Sequence, residues 1–159
     1  MKKKWASLGS IASILLLFSC GTANPGLEVD YGTSDRFSRE ELTSAVECIQ
    51  EEFKSFDDCT MTKLWYGGDK ASGAREEGLA EARNLAGEMA MGDVIVFYSD
   101  FSTGRKTRAD ELEANETHRG YAWVLFRSDR RGDWKLYDGG YGSVSEKVYI
   151  GKSVSLCYN

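Results

Sequence analysis

The sequence predicts a small α+β domain. One strongly amphipathic helix follows a capping box, and several short runs of β-branched and aromatic residues are bounded by glycine turns. With 42% hydrophobic and 12% aromatic residues, the chain has the material for a packed core, which excludes a disordered protein.

Ser38-Arg39-Glu40-Glu41 has the form of a capping box, with Phe37 and Leu42 spaced as a hydrophobic staple. Beyond it Leu42, Ala45, Val46, Ile49 and Phe53 fall on one helical stripe, so the first helix is expected over residues 39–55. Asp57-Asp58 marks a turn. Cys59 to Tyr66 is rich in β-formers and stops at Gly67-Gly68, the pattern of a strand and its turn. Residues 74–90 carry a narrower stripe of Leu79, Ala82, Ala86 and Met89, and read as a second helix despite Gly78 and Gly87. The unbroken run Val94 to Phe101 predicts a central strand. Residues 102–119 are polar and charged and read as a long exposed loop. Tyr121 to Arg127 alternates, with Tyr121, Trp123 and Leu125 on one face. The turn Asp129 to Asp133 then leads into Trp134–Asp138, which makes a hairpin. After Gly139-Gly140-Tyr141-Gly142, residues 144–150 and 153–158 can supply one or two further strands.

The N-terminus carries a different signal. Lys2, Lys3 and Lys4 precede an apolar run from Trp5 to Phe18, followed by Ser19-Cys20-Gly21. That is an export signal with a cysteine directly after the cut, and it resembles the bacterial lipobox. The run is shorter than the roughly 20 apolar residues of a spanning helix. The expected organisation is a signal peptide at 1–19, a lipidated tether at 20–35 beginning at Cys20, and a single domain at 36–159. A diacylglyceryl group on Cys20 would hold the protein on the outer face of the cell membrane, because two acyl chains meet the requirement for stable anchoring. Cleavage removes three lysines and no acid, which moves the formal charge from −5 to −8. An exported domain this acidic argues against nucleic acid as a partner.

Cys48, Cys59 and Cys157 remain after Cys20, and export permits a disulfide. Cys48 precedes Phe56 by eight residues, roughly 12 Å of helix, while Cys59 lies beyond the helix end. A bridge needs Cα atoms within about 7 Å, so Cys48 with Cys157 is the expected pair, if one forms. Three buried thiols are the alternative. No clustered His/Cys pattern suggests zinc, and no phosphate-binding glycine pattern or cofactor motif occurs.

Taken in order, the capped helix Ser38–Phe53, C-T-x-T-K-L-W-Y at Cys59–Tyr66, V-I-V-x-x-S-D-F at Val94–Phe101 and W-V-L-x-R…G-x-W-K-x-x-D-x-G-Y at Trp123–Tyr141 resemble small lipoproteins of Gram-positive bacteria. These carry a domain of unknown function of the cystatin-like/NTF2-like kind. The resemblance implies a long N-terminal helix packed on a curved antiparallel sheet. It implies no catalytic residue, and the tail after Gly142 departs from the pattern.

His118 falls in the predicted polar loop and reads as a solvated surface residue. Tyr98 and Asp100, sharing a strand face, and Asp138, at the end of another strand, are the candidates for acid/base work within the sheet cone. Strand-end aspartates also commonly cap turns. Trp65, Tyr66, Trp123, Trp134, Tyr137 and Tyr141 either pack the core or line a groove for a glycan, a peptide or a small apolar ligand. The sequence therefore supports a lipid-anchored binding or interaction module at the cell surface, with a small ligand, glycan or protein as partner. A small NTF2-like enzyme is the alternative, and an accessory subunit of an envelope complex is a third reading. Replacing Cys20 by alanine should release the protein from the membrane fraction; continued membrane association of the variant would contradict the anchor.

Overall fold

The computed structural model describes residues 26–85, 92–107 and 112–141. Within them the order is β1 (Glu28–Asp30), α1 (Arg39–Phe53), β2 (Cys59–Tyr66), α2 (Asp69–Leu85), β3 (Asp93–Thr103), β4 (Thr117–Arg127) and β5 (Lys135–Gly140). The strands form one sheet in the order β1-β2-β3-β4-β5. The fold is α+β, with a helix on each face of the sheet.

The sheet is mixed, where an antiparallel one was expected. β1 pairs with β2 in parallel, Glu28 opposite Lys63 and Asp30 opposite Trp65, while the other neighbours are antiparallel. Parallel neighbours need a crossover connection, and α1 is that connection. The stretch read as tether therefore contributes the first strand. Three residues without periodicity give no strand signature, and the pairing comes from β2's free edge.

α1 starts as its sequence dictates. Ser38 Oγ accepts from the Glu41 amide at 3.2 Å, and Glu41 Oε2 accepts from the Ser38 amide at 2.8 Å. Leu42, Ala45, Val46, Ile49 and Phe53 are all buried, so the predicted stripe is the observed one. They meet Leu64, Ile95, Phe97, Phe101, Trp123 and Leu125 on the inner face of the sheet, each of these six fully buried. Where a cone could have opened, the described core is filled by its own rings. Trp123 sits there with its indole Nε1 donating to Ser99 Oγ at 2.8 Å, which satisfies a buried N–H.

α2 begins at Asp69, five residues before the sequence expectation. Residues 69–73, DKASG, show no apolar periodicity because their contacts are polar. The Asp69 carboxylate accepts from the Asp35 amide at 2.8 Å, the Tyr66 hydroxyl at 2.7 Å and the Ser34 hydroxyl. Burial alone would raise this carboxyl, but those hydrogen bonds hold it below its ordinary range. Ser72, fully buried, accepts from the Val96 amide at 3.1 Å. Past Tyr66, β2 offers no further carbonyl to β3, and the serine of α2 takes its place. On this outer face Leu79 packs with Val94, Val96 and Val124.

At the far end of β4, Arg127 is buried, its side chain 5% exposed. Its guanidinium bonds the Asp93 carboxylate at 2.8 Å, pairs with Glu41 on α1, and lies 4.5 Å over the Trp134 ring. Trp134 Nε1 in turn donates to the Glu41 carbonyl at 3.2 Å. Burial alone would lower the Arg127 pKa, and the two carboxylates outweigh it and raise it. Burial would likewise raise Glu41, but the Ser38 amide and then Arg127 hold it below the usual carboxylate range. Gly92 lets the chain turn here: a Cβ would come within 2.7 Å of the Ser128 carbonyl.

Removing one partner of a buried ion pair leaves the other charge uncompensated, at a cost of about 3–5 kcal/mol. Arg127→Met should therefore lower the unfolding free energy by about that amount in urea denaturation; a loss below about 1 kcal/mol would show the cluster to be dispensable. Because the folded-state pKa of Glu41 is depressed, its contribution is fully present above its unfolded value of about 4.3 and is lost as pH falls through the folded value. The Glu41→Gln variant should be less stable than wild type at neutral pH and lose less stability on acidification.

Candidate functional site

The three acid/base candidates share the outer face of the sheet, the face that carries α2. The sheet holds them apart. Asp138 lies opposite Val124, which lies opposite Val96, four residues along β3 from Asp100. That separation is about 13 Å along the strand, before adding the two strand spacings between them. Asp100 Oδ1 accepts from the Gly120 amide at 2.9 Å. Gly120 has φ +66° at a register shift between β3 and β4, and the carboxylate secures that bulge. Asp138 is 54% exposed and pairs with Arg75 of α2 at 3.0 Å. Both aspartates thus have the turn-capping and pairing roles that compete with catalysis.

Tyr98 belongs to a different arrangement. It stands directly opposite Trp65 in the register, and the two rings lie 5.9 Å apart with 31° between their planes. Both are half-buried. The same row continues through Ala122 to Gly140, both small, so the rings border a shallow strip of low side chains. The row below it is polar: Glu28, Lys63 and Asp100 stand side by side across β1, β2 and β3. Lys63 Nζ lies 5.8 Å from the Trp65 ring and 3.4 Å from Glu28. This shelf is positioned by strand alternation alone. Residues 94 and 96 of β3 reach under α2, whereas 98 and 100 emerge toward its margin. Gly67 makes room for the tyrosine, since a Cβ there would come within 2.9 Å of the Tyr98 ring.

The remaining aromatics divide cleanly. Tyr66, Trp123 and Trp134 are core. Tyr137 packs edge-on against Phe126 at 6.2 Å. Tyr141 is 56% exposed at the end of β5.

His118 is where the loop expectation fails. β4 starts at Thr117, and His118 stacks on Phe101 at 4.8 Å with 17° between the rings. The Phe101 ring on the neighbouring strand supplies an apolar partner that a polar stretch of sequence does not announce. No nucleophile of the described residues is bonded to it.

Cys48 Sγ donates to the Trp134 carbonyl at 3.4 Å, and Cys59 Sγ to the Asp57 carbonyl at 3.5 Å. Burial pushes the Cys59 thiol up, away from the thiolate form. Cys20, Cys157 and the strands expected after Gly142 lie outside the described residues. Among the described residues no group of three His, Cys, Asp or Glu side chains could hold a metal ion, and no helix is long and apolar enough to cross a membrane.

No family model matches the chain, and no curated protein or solved structure matches it. The functional reading therefore rests on the geometry of the site.

Proposed function

We propose that this protein is a lipid-anchored binding module of the bacterial cell surface, with a cystatin-like/NTF2-like domain whose outer sheet face takes a glycan. The observation that carries the reading is the Trp65–Tyr98 shelf: two cross-strand rings, half-exposed, beside small residues and above a polar row. A pyranose ring has an apolar C–H face that packs on an aromatic ring, and equatorial hydroxyls that need hydrogen-bond partners at its edge. Rings for the flat face and a few placed polar groups for orientation are what such a ligand requires. Lys63 and the second oxygen of Asp100 are in the row that would meet those hydroxyls.

The lipobox around Cys20 supports anchoring on the outer face of the membrane, where glycans of the envelope are within reach. The filled inner face favours binding over catalysis. An acid/base enzyme has less support, because Asp100 holds a backbone bulge and Asp138 pairs with Arg75 in a different part of the sheet.

The test is a titration with soluble oligosaccharides prepared from the bacterial cell wall. Trp65→Ala and Tyr98→Ala should each weaken binding about tenfold, equivalent to about 1.4 kcal/mol, while Asp138→Asn leaves affinity unchanged. Equal affinity in wild type and both ring variants would contradict the shelf as the binding surface.

A further inference from the structure

A second group of rings lies at one end of the sheet, and it is the end from which the chain arrives. β1 runs parallel to β2, so the residues before Glu28 approach from the Cys59 end. That end also holds the C-terminus of α1, the start of β4 and the turn after Thr103. There Phe56 meets Tyr121 at 5.9 Å, Tyr121 meets Tyr141 at 5.4 Å, and Tyr141 meets His118 at 5.9 Å. Tyr141, 56% exposed, is the most exposed large hydrophobic side chain among the described residues, and Phe56, His118 and Tyr121 are half-buried. His118 Nε2 is buried without a hydrogen-bond partner.

Chain length places this end near the lipid. Gly26 is six residues from Cys20, which is at most about 22 Å of fully extended chain. Building on the lipid anchor proposed above, we infer that the Phe56–His118–Tyr121–Tyr141 end seats on the bilayer surface, its rings in the headgroup layer.

Amphipathic aromatic rings favour the membrane–water interface, with the apolar body toward the acyl chains and the polar tip in the headgroups. A tethered domain needs only a weak contact to settle there, because the tether sets a high local concentration of surface. Charge does not drive the contact. Arg105 and Lys106 are exposed at this end, but so are Asp57 and Asp58. The seating is therefore independent of anionic lipid. It also leaves the Trp65–Tyr98 shelf on the side of the domain, open to ligand.

The experiment uses the full lipidated protein in phosphatidylcholine vesicles, with and without phosphatidylglycerol, doped with a phospholipid that carries a photoreactive diazirine in its headgroup. Adducts are mapped by peptide mass spectrometry. The expected result is several-fold more adduct on the peptides carrying Phe56 and Tyr141 than on those carrying Gly68 or Arg131 at the opposite end, equally in both vesicles. Tyr141→Ser should reduce the yield at Phe56, and Tyr141→Trp should keep or raise it. Even labelling of both ends, or a yield that follows the phosphatidylglycerol content, would overturn the seating while leaving the anchor intact. An intact mass without the diacylglyceryl group on Cys20 would overturn the anchor and the seating together.

Discussion

The buried guanidinium of Arg127 ties together elements that lie far apart in the sequence. It terminates β4, holds the first residue of β3 through Asp93, reaches the first turn of α1 through Glu41, and carries the Trp134 ring of the following hairpin on its face. Glu41 already serves the Ser38 capping box, so one carboxylate fixes both where α1 begins and where it sits on the sheet. A charge with this little solvent is stable only when fully paired. That requirement makes the cluster a register device: α1 cannot slide along the sheet without taking the Glu41 carboxylate away from the guanidinium, which would leave Asp93 as its one remaining carboxylate in the cluster.

With α1 held there, its apolar stripe buries the centre of the inner face. Phe97, Phe101 and Trp123 become structural, and the buried indoles find acceptors inside the fold, Trp123 at Ser99 and Trp134 at the Glu41 carbonyl. Rings on the opposite side of the same strands have a different fate. α2 covers Val94, Val96 and Val124 but leaves Trp65 and Tyr98 half-exposed. The proposed binding surface is therefore a by-product of period-two alternation along β2 and β3, combined with a covering helix that shields only part of the sheet.

Much of this was legible in the sequence. The capping box and stripe of α1 carried its start and its buried face residue by residue, because helix capping and amphipathicity are local. β2, β3 and the β4–β5 hairpin were legible for the same reason. What was hidden depends on partners distant in sequence. β1 is three residues that become a strand only against Lys63 to Trp65. α2 opens with polar residues whose partners, Ser34 and Tyr66, lie in other segments. His118 reads as polar until Phe101 stacks on it, and Arg127 reads as an ordinary strand-end cation until Glu41 and Asp93 converge on it. Strand alternation put Tyr98 and Asp100 on one face but said nothing of the face of Asp138, and alternation gives a face and not a distance. It could not show that Asp100 and Asp138 serve separate local structures.

In the proposed function the ligand meets the outer shelf and not the inner face. The indole N–H resonances of Trp65, Trp123 and Trp134 report it most directly, since two are hydrogen-bonded inside the core and the third stands on the shelf. On addition of cell-wall oligosaccharide, the Trp65 signal should shift while those of Trp123 and Trp134 stay in place. Movement of the Trp123 signal with Trp65 unchanged would put the ligand inside the sheet and contradict the account.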